Sequence, residues 1–232
     1  MLGSAFDTTV EQVLRRKWRG EWTTAEQAAL WFAQNWEREL ARPEVVEWGD
    51  RDARVILEDG INLITSGATM AYLRGFDLAP HPDGGDEPAL QVRTELTVPG
   101  VSVPVIGWID AIAKGPAAGS LHAVDFKTAR RRWAKGRERK ELQARIYLGG
   151  LWQAGNSFAR LSFEYAVFVP GMTPQGTAVQ RLPVLLSERD VLLTMDMLRR
   201  SWRQVKSGAF PPNPHSYRCG PGCPVFDRCF GG

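Results

Sequence analysis

Three residues of this 232-residue chain, Asp110, Asp125 and Lys127, have the types and spacing needed to work on a phosphodiester bond. Asp125 and Lys127 are two apart in the run Leu121 to Lys127. A strand's period of two puts their side chains on one face, with Val124 and Phe126 on the other. Asp110 closes the run Gly107-Trp108-Ile109-Asp110 on what reads as the preceding strand, so its carboxylate would stand beside them. Two carboxylates offer hard oxygen ligands to Mg2+ or Mn2+. Such an ion polarises a phosphate and acidifies a bound water, while the ammonium orients that water or offsets developing negative charge.

The elements that must position these groups can be read from periodicity. Phe6, Val10, Val13 and Leu14 recur at helical spacing from Gly3 to about Trp18, with Gly20 just past the end. A second helix, capped by Thr23 or Thr24, runs until Pro43, and a third is expected from about Asp52 to Leu73. After the Pro/Gly/Asp-rich loop from Ala79 to Pro88 the pattern becomes alternating. Val92, Leu96 and Val98 lead to a turn at Pro99-Gly100, Val101 to Ala113 continues as strand, and Gly115 to Ser120 turns into Leu121 to Lys127. Helical spacing returns from Glu138 to about Gln153. Strands from Leu161 to Val169 and Ala178 to Leu186 follow, then a long amphipathic helix from Ser187 to about Lys206. This is an α/β (α+β) order, with a central mixed sheet flanked by helices. The expected division is one domain over residues 1–209, helical over 1–78 and catalytic over 89–207, with a Cys-containing tail at 210–232.

The string Asp110, fourteen residues, Asp125-Phe126-Lys127-Thr128, then Gln143-Ala-Arg-Ile-Tyr147 on the next helix, resembles the RecB-like branch of the PD-(D/E)XK nucleases, which includes CRISPR-adaptation nucleases. The resemblance implies a restriction-endonuclease-like core. It also implies metal binding by Asp110 and Asp125, a catalytic Lys127, a supporting Glu95 at the start of the hairpin, and a DNA-facing Gln143 and Tyr147. Residues 3–11, GSAFDTTVE, resemble the family's G-x-x-x-H-x-x-x-E helix, with Asp7 where the family has a metal-binding His. A carboxylate there can also hold a hard cation; the alternative is a solvated carboxylate near a helix start. The tail resembles the family's three-cysteine element, which with an upstream cysteine holds a 4Fe–4S cluster. Cys219, Cys223 and Cys229 supply three thiolates, so no 4Fe–4S cluster is expected. A degenerate Fe–S site, Zn2+ with His215 as fourth ligand, or no metal, are the readings left open.

Each motif also has a plainer reading. Gln143 and Tyr147, one helical turn apart, could be an ordinary half-buried pair. The basic run holding Arg130, Arg131, Arg132, Lys135, Arg137, Arg139 and Lys140 could be a solvated face, but it follows the DxK strand directly, which favours phosphate contacts. The nine tryptophans are read as core and packing residues rather than base-stacking platforms. The formal charge of +3 suits a polyanionic partner without requiring one. No apolar run reaches the length of a membrane span and no secretory pattern opens the sequence, so a cytoplasmic protein is expected. The function expected is a Mg2+- or Mn2+-dependent deoxyribonuclease acting on single strands or duplex ends, exonuclease-like or end-processing. The alternatives are a non-catalytic nucleic-acid-binding module, or a nuclease subunit with protein partners in a recombination, phage or CRISPR-adaptation complex.

Overall fold

The computed structural model describes residues 2–42, 52–173 and 176–208, apart from the side chains of 172–178. Four helices come first: α1 (Leu2–Trp18), α2 (Ala25–Leu40), α3 (Ala53–Thr65) and α4 (Gly67–Arg74). The strands are β1 (Leu90–Leu96), β2 (Val105–Lys114), β3 (Leu121–Thr128), β4 (Leu161–Thr173) and β5 (Gly176–Val184), with α5 (Gln143–Gln153) before β4 and α6 (Glu188–Ser207) after β5. Their spatial order is β1-β2-β3-β4-β5. β3 and β4 are parallel, joined by the α5 crossover, and the other pairs are antiparallel, so the sheet is mixed as expected.

The expected third helix is two helices. Ser66 takes an extended ψ of 143° and its hydroxyl accepts from Thr69 N at 3.1 Å, which caps α4 and ends the helical run of α3. Thr24 rather than Thr23 caps α2, accepting from Gln27 N at 3.2 Å. β2 begins at Val105 rather than Val101, just past Pro104, which has no N–H to give a ladder. α5 begins at Gln143 rather than Glu138. Gly136, at φ 86°, and a single 3-10 turn at Arg137–Arg139 occupy the start of the expected helix. The last helix opens on a reciprocal capping box between Ser187 and Asp190.

Two apolar layers sandwich the sheet. On one face Phe6, Val10, Val13 and Leu14 of α1 pack with Phe76, Ala111, Val124, Phe126 and Phe168, the Phe6 and Phe168 rings being 4.8 Å apart. Fully burying side chains of this size contributes about 1.5–3 kcal/mol each, so α1 is held firmly over β3. On the other face Tyr147, Leu148 and Leu151 of α5 pack with Ile109, Ala123, Phe163 and Tyr165. Lys17, near the end of α1, gives its ammonium to the backbone oxygens of Leu73, Arg74 and Phe76, closing the C-terminus of α4 with a cation. Burial lowers the pKa of that ammonium.

Candidate active site

The alternation of β2 slips once. Gly107 and Ile109 look toward α5: a Cβ on Gly107 would lie 2.5 Å from Tyr147 Cε1, and Ile109 is buried with Tyr147 and Leu148. Two residues on, Ala111 packs with the α1 layer instead. The same slip crosses the ladder, where Leu90 (opposite Ala111) joins the α1 layer and Val92 (opposite Ile109) joins the α5 layer. Between them Gln91 adopts φ 50°, an uncommon conformation for a residue other than glycine. Asp110 stands at this slip.

The β2–β3 ladder ends at Ala111 opposite Val124, so the two strands part where Asp110 and Asp125 face each other. In place of a strand carbonyl, the Asp110 carboxylate accepts Phe126 N–H through Oδ2 at 2.7 Å, and Gln91 Nε2 donates to Oδ1 at 3.3 Å. Asp125 is almost fully buried and forms an ion pair with Lys127, whose side chain is about one-third exposed. Asp7 reaches the same gap from α1, and its Oδ1 is buried with no hydrogen-bond partner.

The electrostatics follow from this crowding. Burial lifts the Asp7 carboxyl to about 8, with Asp110 raising it further, Lys127 opposing and Asp125 adding. Burial and then Asp110 lift Asp125 to about 7, against the pull of Lys127. Asp110 is raised by burial and held back first by the Phe126 N–H, then by Lys127 and Gln91. Three acids that resist ionising together need a positive charge among them. Among the described residues no three acidic, histidine or cysteine side chains converge tightly enough to hold an ion as they stand. The orphaned Asp7 oxygen nevertheless fits a cation ligand better than a structural carboxylate, which would have found a donor.

At the start of α5, Gln143 Nε2 donates to Tyr147 Oη at 3.2 Å. Burial and then Asp125 push the Tyr147 phenol up to about 12, with the Gln143 amide opposing and Asp110 adding. Glu95 is elsewhere. It is exposed, ion-paired with Arg93, and lies four residues, about 13 Å, along β1 from Gln91, the residue of that strand that does touch Asp110. Glu11, one turn after Asp7, pairs with Arg15 at 2.8 Å yet still adds to the raised pKa of Asp110. In the basic run Arg131 and Arg132 are exposed and make no ion pair among the described residues. Arg137 instead lies 4.3 Å over the Trp133 ring and pairs with Glu141 at 3.3 Å. Cys219, Cys223, Cys229 and His215 lie outside the described residues.

Sequence reasoning missed Gln91 and Gly107. Gly107 carried a readable signal, a glycine inside a strand, which often marks close approach of another group; Gln91 carried none, because its backbone conformation has no mark in its side chain.

The chain matches the PD-(D/E)XK nuclease superfamily over residues 1–230, and it belongs to that family. Among solved structures it is similar to a protein from Eubacterium rectale assigned as an exonuclease, at 14% identity over 94% of this chain and 73% of that one, with a TM-score of 0.48. It is also similar to SSO0001, at 17% identity over 72% of this chain and 83% of that one, with a TM-score of 0.31. No curated protein matches it. Among the described residues no helix is long and apolar enough to cross a membrane.

Proposed function

We propose that the protein is a Mg2+- or Mn2+-dependent DNA nuclease of exonuclease or end-processing type. Asp7, Asp110 and Asp125 would hold the metal, and Lys127 would act on the attacking water. The observation that carries the reading is the buried, unpartnered Asp7 Oδ1 beside two carboxylates whose pKa values are raised. When bound, a divalent cation polarises the scissile phosphate and lowers the pKa of its water.

The chain's own residues supply the rest. Phe126 N–H and Gln91 fix the orientation of Asp110, and the sheet fixes Asp125. Lys127, whose ammonium stands beside Asp125, would offset the negative charge building on the phosphate. Gln143 and Tyr147 present amide and phenol groups to the strand being cut. Arg131 and Arg132 are suited to hold the flanking phosphates. Residues 1–209 would form the nuclease unit, since both apolar layers close on one sheet.

End-labelled single- and double-stranded DNA incubated with Mg2+ or Mn2+ tests this. Short labelled products that vanish with EDTA are expected. No products with any divalent ion, or cleavage that survives EDTA, would sink the reading and leave a binding module or a subunit that needs its partners.

A further inference from the structure

Trp108 does not belong to the core. It is 52% exposed, on the strand that carries Asp110, whereas Trp36 and Trp133 are buried. Its neighbours Gly107 and Ile109 turn toward α5, so Trp108 and Ile106 face the opposite way, onto a side of the β1–β2 ribbon where, among the described residues, both stay exposed. Arg93 and Glu95 are their register partners there, and the exposed Ile106 extends the apolar surface. One exposed tryptophan is ordinary, but an indole with an exposed isoleucine beside it, two residues from a carboxylate of the site, marks a surface that binds something.

Two observations say what that something is. Trp108 precedes Asp110 by two residues, about 7 Å along the strand, so a base adjoining a phosphate at the carboxylates can reach the ring. Because β2 and β3 are antiparallel, the chain entering Asp110 and the chain leaving Lys127 lie at the same end of the sheet. The exposed Arg130, Arg131, Arg132 and Lys135 follow Lys127 there. An aromatic ring on the chain entering Asp110 and exposed basic residues on the chain leaving Lys127, at the same end of the sheet, match a polyanion whose bases are open to stacking. A duplex keeps its base faces inside the stack, whereas a single strand exposes them.

We propose that Trp108 is a stacking platform for an unpaired base of the strand held at Asp110 and Asp125, which makes single-stranded ends the preferred substrate. The identity of the strand as substrate rests on the nuclease reading above, but the stacking can be measured without turnover. In EDTA, the full chain is titrated into a fluorescently labelled oligo-dT, the same oligomer with abasic residues, and a blunt duplex. Wild type should bind oligo-dT best. Trp108→Ala should weaken that binding about tenfold, within the range expected for one lost base stack, and Trp108→Phe should restore most of it. The Ala variant should match wild type on the abasic strand.

Equal losses on normal and abasic strands, or no loss at all, would overturn the inference. So would a Trp108→Ala protein that loses self-association by sedimentation while keeping its oligonucleotide affinity, since the face would then serve a second copy of this chain. If wild type stacks oligo-dT through Trp108 but cuts nothing with Mg2+ or Mn2+, the nuclease reading fails and the platform stands.

Discussion

Asp7→Asn should make the metal-free protein more stable while sharply weakening its response to metal. The Asp7 carboxyl titrates near 8 when folded and near 3.8 when unfolded. A folded pKa above the unfolded one means folding takes up a proton. Stability from this group is therefore full below about pH 4 and is lost as pH rises through about 8. The span is roughly four units at about 1.4 kcal/mol each, a ceiling of about 6 kcal/mol; coupling to Asp110 and Asp125 and partial solvation reduce the expected effect to about 2 kcal/mol. Asn keeps the shape without the charge.

Urea unfolding of wild type and Asp7→Asn in EDTA should thus show the variant ahead, by a margin that widens from about pH 5 to about pH 8 and then levels off. Adding Mn2+ reverses the ranking: at about 100 times its Kd it should stabilise wild type by about 2.7 kcal/mol and the variant by much less. A variant no more stable than wild type above pH 8, or one that gains as much from Mn2+, would refute the assignment of Asp7 as a ligand held in readiness.

The remaining expectations concern neighbouring groups. Asp110→Ala and Asp125→Ala should each abolish metal-dependent cleavage, but only the first should also cost about 1–3 kcal/mol in unfolding, because it strands the buried Phe126 N–H; near-normal cleavage by either rejects the site. Lys127→Ala should lower kcat sharply while calorimetry finds metal affinity preserved, since an ammonium is no ligand; a collapse of that affinity would remove Lys127 from the catalytic role. Neutralising Arg131 and Arg132 should flatten the salt dependence of DNA binding by about two units of slope or slightly less, and adding Arg137 should change little more, because its guanidinium is already engaged by Trp133 and Glu141. A third full unit from Arg137 would mean that it leaves those partners for phosphate. Metal binding at about pH 7 should release protons, since Asp7 and Asp125 titrate near 8 and near 7; identical calorimetric enthalpies in buffers of different ionisation heat would contradict this.

What the sequence made legible was whatever a period could carry. The alternation from Val92 to Lys127 located the hairpin and β3, and the two-residue spacing of Asp125 and Lys127 paired them correctly. The helix ends at Trp18 and the capping Ser187 followed from local backbone chemistry. Interruptions of the period were harder to see. The extended Ser66 breaks a run whose apolar spacing continues across it, and Gln91 hides a positive φ in an ordinary polar residue. Residue type was also a poor guide to depth. Tryptophans taken together suggest core, yet only the alternate packing of Gly107 and Ile109 against α5 shows that Trp108 must point outward. Glu95 has the residue type that the family resemblance asks for, while the contact to Asp110 comes from Gln91, four residues earlier on the same strand.

The slip at Gln91 and Asp110 also bears on how this protein could be redesigned or could drift. Deleting one residue from each strand at that point would restore unbroken alternation, relieve a left-handed glutamine and let the ladder run on past Asp110. Such a hairpin would be more regular, and any procedure that rewards ideal strands would choose it. It would also close the gap in which the carboxylates meet. The irregularity is therefore information rather than damage, and a stabilised version of this chain should be sought in its helices, with these two positions left as they are.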